Sequence, residues 1–384
     1  MKQLCSEARI MELIKKVIVA PDSFKGTISA ENVADIVSDV LLEEMPDLNI
    51  VKMPIADGGE GSLDAIMSVT GGNIYHEYVI GPDGSLIEAR FGIGDSGTAI
   101  IEMAESSGIT RQKELHPMTS NTYGLGQLVK AALDRGAREF ILCVGGSATT
   151  DGGCGMAAAL GTVFTDADGS AFIPCGETLH LIENIDFRGM DSRIRDSRFT
   201  VMCDVENPLY GPQGAAYIYG PQKGAEPYQQ DLLDQGLIHL NTILMKRGYA
   251  DFGQYPGAGA AGGIGAGCIV FLGAELKKGS EEILKLFDFE HEASDTDLVI
   301  TGEGSFDVQS LQGKVFSGIR KYAGKTPVIV VCGINKCPPE LIRSLDIRVF
   351  SANEYAETPA ESLADPETYL RKAAGAAAEY IMTI

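Results

Sequence analysis

Positive charge is scarce in this sequence. It has 31 Lys and Arg residues against 53 Asp and Glu residues, which gives a formal net charge of −22 at pH 7. Nucleic acids and anionic membranes bind proteins that carry a basic surface. The charge therefore argues against both partners, and an anionic substrate would need a local positive pocket or a metal ion. We expect a small-molecule ligand.

Histidine and cysteine motifs are missing too. None of the five histidines lies in a glycine-rich loop, so no histidine-based triad or zinc site is predicted. The eight cysteines contain no C-x-x-C motif. Four of them lie in apolar runs that are typical of core thiols: Cys143, Cys203, Cys268 and Cys332. The pattern favours a reducing compartment.

Long apolar runs are also absent. No run approaches the roughly 18 residues that a membrane-spanning helix needs. Residues 1–16 have acids at Glu7 and Glu12 and no apolar core of signal-peptide length. We therefore expect a cytoplasmic protein.

Glycine is abundant, with 46 residues in a chain of 384, against a usual share of roughly 7%. The glycines are clustered, which indicates a loop-built active site. Two clusters share the motif Asp-Gly-Gly-x-Gly, at residues 57–61 and 151–155. Each follows an apolar run that predicts a buried strand, 51–55 and 140–144, and each precedes a helix-like stretch. In open α/β sheets, ligands bind beyond the carboxyl ends of the strands.

The order of predicted elements indicates a parallel sheet. A strand at 17–21 is followed by a helix from its N-cap Ser29 to about Glu44, and then by the strand at 51–55. After residue 283 the same rhythm returns, with strands at 298–300, 328–331 and 347–350. The helices predicted there span 281–287, 314–323, 339–344 and 366–382.

The middle of the chain has a different pattern. Alternating segments at 74–79 and 86–91 flank a Gly-Pro-Asp-Gly turn and predict an antiparallel hairpin, with a third strand at 99–102. A helix at 121–135 and a strand at 139–144 follow. We predict an α/β protein of two domains with a ligand cleft between them. Residues 1–75 and 283–384 form a doubly wound, flavodoxin- or Rossmann-like domain, and 76–282 an inserted mixed domain.

Two nucleotide-binding signatures fail on context. Residues 257–262 match G-x-G-x-x-G but follow Gln254-Tyr255-Pro256 instead of a buried strand. A closely packed or flexible turn is favoured there, and a loop that touches ligand is the alternative. Gly324-Lys325-Thr326 lacks the first glycine of a P-loop and precedes a strand.

Five loops at strand ends carry the candidate chemistry. They contain Asp22, Ser23 and Lys25; Asp57, Gly58, Gly59 and Glu60; Gly145, Gly146, Ser147, Thr149 and Asp151; Asp204; and Gly302, Glu303 and Asp307. Lys223 and Lys314 adjoin glycines and could offset phosphate charge. Asx-turns and solvated lysines are the structural alternatives. Converging carboxylates with glycine cradles fit Mg²⁺-dependent phosphoryl transfer, in which positioning and charge neutralisation dominate.

The same loops resemble those of the bacterial glycerate kinases of the first class. The matching segments run in family order: residues 20–26, 54–61, 145–153, 203–209, 220–225, 256–267 and 301–304. The resemblance implies two α/β domains and ATP-dependent phosphorylation of D-glycerate to 2-phosphoglycerate. One departure is Ser305-Phe306, where many relatives carry Arg or a similar residue, and it leaves the details of substrate choice open.

A division of roles follows as a hypothesis. Asp151 or Asp22 is the general base, with Asp151 preferred, and Lys25 neutralises developing charge. Asp57, Asp204 or Glu303 holds Mg²⁺. Ser147, Thr149 and neighbouring N–H groups hold phosphate or carboxylate. The binding residues are Ser23, Gly58, Gly59, Glu60, Gly145, Gly146, Ser147, Thr149, Lys223, Gly302, Asp307 and Lys314.

Several alternatives stay open. The same chemistry could give 3-phosphoglycerate or act on another small hydroxyacid. A nicotinamide-dependent hydroxyacid oxidoreductase and a non-catalytic regulator that binds a phosphorylated metabolite are the rivals from other classes. The sequence predicts a monomer or a homodimer.

Overall fold

The computed structural model describes residues 14–24, 27–55, 58–59, 61–312 and 315–384. Four predicted site residues lie outside the described residues: Lys25, Asp57, Glu60 and Lys314. The fold is α/β, with parallel and mixed sheets, as the order of elements predicts. No helix in the described ranges is long and apolar enough to cross a membrane.

The strands are β1 (Lys16–Pro21), β2 (Asn49–Lys52), β3 (Asn73–Ile80), β4 (Leu86–Ile93), β5 (Thr98–Glu102), β6 (Glu139–Cys143), β7 (Val163–Thr165), β8 (Ala171–Phe172), β9 (Asn184–Asp186), β10 (Arg198–Met202), β11 (Glu275–Lys277), β12 (Leu298–Gly302), β13 (Ser305–Phe306), β14 (Val328–Cys332), β15 (Ile334–Asn335) and β16 (Arg348–Ser351). The α-helices are α1 (Ala30–Glu44), α2 (Ser62–Thr70), α3 (Met103–Ser107), α4 (Tyr123–Asp134), α5 (Cys154–Ala159), α6 (Ala215–Tyr219), α7 (Pro227–Lys246), α8 (Ala260–Gly267), α9 (Gly279–Leu286), α10 (Phe289–Ser294), α11 (Val308–Gln312), α12 (Val315–Ala323), α13 (Pro339–Ser344), α14 (Pro359–Ala364) and α15 (Pro366–Ile381).

The described residues divide into two compact units. The first unit lies within Met1–Asp57, Asp64–Val69 and Ser280–Ile384, and the second within Gly58–Leu63 and Thr70–Gly279. Each unit has its own hydrophobic core. The sequence-based domain boundaries, 1–75 with 283–384 and 76–282, remain a prediction.

The first unit is built on a parallel sheet of five strands in the order β16-β14-β12-β1-β2. From β1 the chain moves to β2 on one side, whereas β12, β14 and β16 follow one another on the other side. The order therefore reverses between β1 and β12. Such a switch point is where open α/β sheets bind ligands, at the carboxyl ends of the strands.

Helices α1 and α15 cover the sheet with apolar faces. Ser29 is the N-cap of α1, as predicted, and its Oγ accepts the Asn32 N–H at 3.2 Å. The core contains Val33, Val37 and Leu41 of α1, together with Leu370, Ala373, Ala374 and Ala377 of α15. These spacings of three or four residues keep each set on one helix face.

The predicted buried strand at 51–55 is wrong in position, although Met53, Pro54 and Ile55 are buried as predicted. The regular strand is β2, which ends at Lys52, lies at the sheet edge and is half exposed. The N–H groups of Met53 and Ile55 still donate to the carbonyls of Val19 and Pro21, at 2.9 and 2.8 Å. Pro54 between them has no N–H to donate, which accounts for the interruption.

The second unit contains a mixed sheet in the order β11-β10-β6-β5-β4-β3. The predicted hairpin is confirmed, because β3 and β4 pair antiparallel over eight positions and β5 follows β4. Strands β5, β6, β10 and β11 are parallel. Helix α7 is not among the predicted elements, although Leu233, Leu237, Leu240 and Leu244 repeat at helical spacing and are buried.

Candidate functional site

The carboxyl edge of the first unit's sheet contains a cavity of about 330 Å³. Its wall is formed by residues that follow β1, β12, β14 and β16, and by residues of α14 and the start of α15. The residues are Asp22, Ser23, Phe24, Thr27, Glu303, Gly304, Ser305, Gly333, Ile334, Ala352, Ser362, Leu363 and Pro366. The cavity lies at the switch point, and the predicted residues Asp22, Ser23 and Glu303 all line it. Its volume is within the range of small-molecule binding sites.

Asp22 and Glu303 come together because β1 and β12 end at the same level. Pro21 pairs with Gly302, and the Asp22 N–H donates to the Gly302 carbonyl at 2.7 Å. The Asp22 side chain is buried, and its Oδ1 accepts the Ser23 N–H at 2.6 Å. Two carboxylates therefore line the same end of the cavity.

The glycines after β12 permit close backbone packing. A Cβ on Gly302 would lie 1.8 Å from the Val331 carbonyl oxygen of β14. The Glu303 and Gly304 carbonyls accept the N–H groups of Gly333 and Ile334, at 3.2 and 2.9 Å. Gly302 thus positions the Glu303 loop through the sheet, and its predicted contact with ligand stays a prediction.

Asp307 and Phe306 have structural contacts. The Asp307 Oδ1 accepts the Ser310 N–H at 3.3 Å and its own N–H donates to Ser310 Oγ at 3.1 Å, which caps α11. Phe306 is fully buried and packs edge-to-face on Phe316. Of the residues that depart from the family pattern, Ser305 is the one that lines the cavity.

In the second unit, the two glycine clusters meet. The Gly145 N–H donates to the Gly58 carbonyl at 2.8 Å, and a Cβ on Gly145 would lie 2.5 Å from the Gly59 Cα. The loop after β6 is also held by α3 and by the residues that follow α3 in sequence. The Ala148 N–H donates to the Ser107 carbonyl, and the Ile109 N–H donates to the Gly146 carbonyl. The predicted residues Gly58, Gly59, Gly145 and Gly146 therefore form one surface lined by backbone groups, called the glycine corner below.

Ser147, Thr149 and Lys223 belong to the same corner and are all buried. The Lys223 Nζ donates to the Thr149 carbonyl at 2.6 Å. Burial lowers the pKa of Lys223 to about 7, and the nearby Asp151 carboxylate opposes that shift. Within the described chain, the hydroxyls of Thr149 and Thr150 have no hydrogen-bond partner, so both retain donor capacity for an anion.

Asp151, the carboxylate of this loop, accepts four hydrogen bonds. Its Oδ2 accepts the Thr122 N–H, the Thr122 hydroxyl and the Gly155 N–H, at 2.9, 2.7 and 3.0 Å, and its Oδ1 accepts the Gly153 N–H at 3.2 Å. Burial raises the pKa of Asp151, and the hydrogen bonds from Thr122, Gly155 and Gly153 counteract the increase. These hydrogen bonds hold the loop against the start of α4 and the start of α5, so they have a structural role.

Asp204 follows β10 and is half buried, and its Oδ1 accepts the Gly279 N–H at 2.9 Å. The predicted metal ligands thus divide between the units: Glu303 is in the first and Asp204 in the second. Within the ranges that the structure describes, no group of three or more His, Cys, Asp or Glu side chains is arranged to hold a metal.

Comparison with known proteins decides the family. The family model described as the glycerate kinase family matches residues 17–382. The chain belongs to the glycerate kinase family. A glycerate kinase from Bacillus subtilis (strain 168) and a glycerate 2-kinase from Escherichia coli (strain K12) are each 43% identical over 323 residues, covering 83% of this chain and 85% of each relative.

A solved structure agrees with the family assignment. A crystal structure from Salmonella typhimurium LT2 that carries a glycerate kinase 2 description matches with a TM-score of 0.82 and 35% identity. The match covers 96% of this chain and 98% of that one. The protein is therefore an enzyme, a phosphotransferase of the glycerate kinase family.

In this glycerate kinase family member, the glycine-rich segment 257–267 packs against the Asp151 loop. A Cβ on Gly262 would lie 1.9 Å from the Thr149 carbonyl oxygen, and the Gly152 N–H donates to the Gly262 carbonyl at 3.1 Å. Ala261, Gly262 and Gly263 have positive φ angles of 50°, 77° and 92°. The glycines allow two backbones to touch, which is a closely packed turn and not the strand-to-helix turn of a dinucleotide site.

Two residues that hold these loops, Glu102 and Thr122, are not among the predicted site residues. Glu102, at the end of β5, is buried and accepts the N–H groups of Gly61 and Leu63, at 3.2 and 3.0 Å, at the start of α2. Thr122 binds Asp151 and accepts the Met156 N–H. Glu102 could have been found by the rule that selected the other residues, because it is a carboxylate directly after an apolar strand.

Proposed function

We propose that this chain transfers the γ-phosphoryl group of ATP to the 2-hydroxyl of D-glycerate and forms 2-phosphoglycerate. The observation that carries the proposal is its similarity, over 83% of the chain, to the relative named glycerate 2-kinase. The paired carboxylates at the switch point and the glycine corner support it as the chemistry of phosphoryl transfer.

Asp22 is the preferred general base. A base must be within reach of the substrate; Asp22 lines the cavity, whereas the four hydrogen bonds that Asp151 accepts hold its own loop. In the proposed step the substrate hydroxyl oxygen bonds to the γ-phosphorus, the bond from the γ-phosphorus to the bridging oxygen breaks, and ADP leaves with that electron pair. The hydroxyl proton passes to Asp22.

The residues present fit Mg²⁺, which prefers one or two carboxylates together with phosphate oxygens and waters. Glu303 is the described candidate in the first unit, and Asp57, outside the described residues, is a second candidate. Bound Mg²⁺ would neutralise charge on the phosphates. Ser147, Thr149 and the N–H groups of the glycine corner are proposed to hold anionic groups of substrate or nucleotide. Lys25 keeps its predicted task of neutralising developing charge.

The test is release of ADP from Mg-ATP with D-glycerate, with L-glycerate or with no acceptor, and with the product identified by phosphorus NMR. Turnover with D-glycerate and a 2-phosphate resonance are expected. A 3-phosphate resonance would keep the kinase and overturn the regiochemistry. No turnover with either enantiomer would move the reaction to another small hydroxyacid.

A further inference from the structure

The cavity of the first unit has two chemically different ends. Along the sheet, the loops after β1 and β12 contribute the polar side chains Asp22, Ser23 and Glu303. Beyond β14 and β16 the wall is mainly apolar and includes Ile334, Ala352, Leu363 and Pro366. The cavity therefore runs from a carboxylate end to an apolar end.

This polarity does not suit glycerate as the occupant of the apolar end. Glycerate is a small anion with a polar group on every carbon. The described residues of the apolar end include no lysine or arginine to pair with the carboxylate of glycerate. The volume of about 330 Å³ lies within the range of sites for larger ligands, roughly 300–1,000 Å³.

Leu363 also points to an apolar partner. It belongs to α14, lines the cavity and is 57% exposed. A flat, uncharged ligand placed beside it would remove this apolar surface from water, which is favourable. The buried Ser305 hydroxyl, which has no partner among the described residues, adds hydrogen-bonding capacity to the same wall.

We infer that the apolar end of this cavity binds the nucleoside of ATP, with the polyphosphate directed toward Asp22 and Glu303. The inference rests on the proposed function, since it assigns one of the two proposed substrates to a place in the fold. It makes Leu363 a determinant of nucleotide affinity. Glycerate then lies outside the apolar end, and its 2-hydroxyl is the part that reaches Asp22 at the carboxylate end.

The experiment compares Leu363→Gln with Leu341→Gln. Leu341 is a matched control, because it is a partly exposed leucine on α13 of the same unit and does not line the cavity. In steady-state kinetics, Leu363→Gln should raise the KM for ATP by about fivefold or more and leave the KM for D-glycerate unchanged. Leu341→Gln should change neither. A rise in the KM for D-glycerate alone, or equal effects of both variants, would overturn the inference.

A binding measurement separates this inference from the proposed reaction. Adenosine, which has no phosphate, is titrated calorimetrically into wild type and both variants. Binding to wild type and Leu341→Gln, with weaker binding to Leu363→Gln, supports the nucleoside site even if no glycerate is phosphorylated. Equal binding to all three proteins, or no binding to wild type, overturns it even if the kinase reaction is confirmed.

Discussion

Two aspartates at strand ends have different surroundings at the scale of the residue. Asp151 accepts four hydrogen bonds from Thr122, Gly153 and Gly155, whereas Asp22 lines a cavity and accepts a bond from its neighbour Ser23. The sequence alone favours Asp151 as the base, because its glycine-rich loop is the strongest candidate for an anion site. Thr122 reaches Asp151 from 29 residues away, and the cavity beside Asp22 is formed by distant strands, so the distinction exists only in the folded chain.

Asp22→Asn should remove the proposed base and lower kcat by a factor of about 10²–10⁴, with an unchanged thermal midpoint. Asp151→Asn should act on stability, because its amide cannot accept all four bonds. We expect a loss of at least about 2 kcal/mol in the free energy of unfolding, with kcat per folded molecule retained. Calorimetry gives the stability of each variant, and kinetics normalised to the amount of folded enzyme give its kcat. The opposite pattern would restore Asp151 as the base.

Lys223 should give stability a distinct pH dependence. Its pKa in the folded protein is about 7, against 10.5 in the unfolded chain. Between these values the unfolded state binds more protons, so this group makes the protein more stable as pH rises. Lys223→Met removes the effect. The stability of wild type relative to Lys223→Met should therefore increase from pH 7 to pH 10 in denaturant titrations, and a flat difference would contradict the buried, depressed lysine.

At the scale of the element, glycines allow backbones to approach each other. Strand β12 ends in Gly302 against the backbone of β14, and α8 places Gly262 against the loop that follows β6. The glycine clusters predict functional loops, but glycines such as Gly302 and Gly262 instead allow close packing of the backbone that holds those loops. The loops that carry candidate side chains are held in place by these contacts.

Gly302→Ala and Gly375→Ala should have opposite effects. A Cβ at Gly302 meets the Val331 carbonyl oxygen at 1.8 Å, whereas a Cβ at Gly375, inside α15, meets nothing within 4 Å. The first substitution should cost more than about 2 kcal/mol of unfolding free energy. The second should add up to about 1 kcal/mol, because alanine favours helix. Denaturant midpoints of the two variants test this, and a neutral Gly302→Ala would refute the close approach.

At the scale of the whole molecule, much of the fold could be predicted from local patterns. The helix after Ser29, the hairpin of β3 and β4, the strands β12, β14 and β16, and the helices α12, α13 and α15 follow from capping residues and periodicity. Helix α7 was missed in a region that was interpreted as strands and turns. The regular part of β2 was misplaced because Pro54 interrupts an apolar run.

The sequence predicts which loops carry the candidate site residues, but not which of these loops lie together in space. Sequence indicates that Asp22 and Glu303 each follow a strand, but only the pairing of Pro21 with Gly302 brings them to one cavity. Likewise, nothing local in the sequence shows that Gly145 touches Gly59 or that Lys223 reaches Thr149. Such contacts depend on tertiary packing across long stretches of chain.

The second unit should fold without the first. Its core contains residues from Val79 to Ala274 only, so a fragment of residues 58–279 should unfold cooperatively in denaturant. A fragment of residues 14–57 should remain unfolded, because β1 would lack β12 as its neighbour. Circular dichroism of the two fragments gives the answer, and a molten 58–279 fragment would show that its core is insufficient alone.

The pairing of Val17 with Leu298 also has a consequence for synthesis on the ribosome. Strand β1 is translated before its neighbour β12, which follows only after the whole second unit. During that interval the apolar residues of β1 and α1 have no sheet to cover them, and such surface is prone to aggregation. The nascent chain is thus a candidate client for chaperones that bind early apolar segments, released when the last strands arrive.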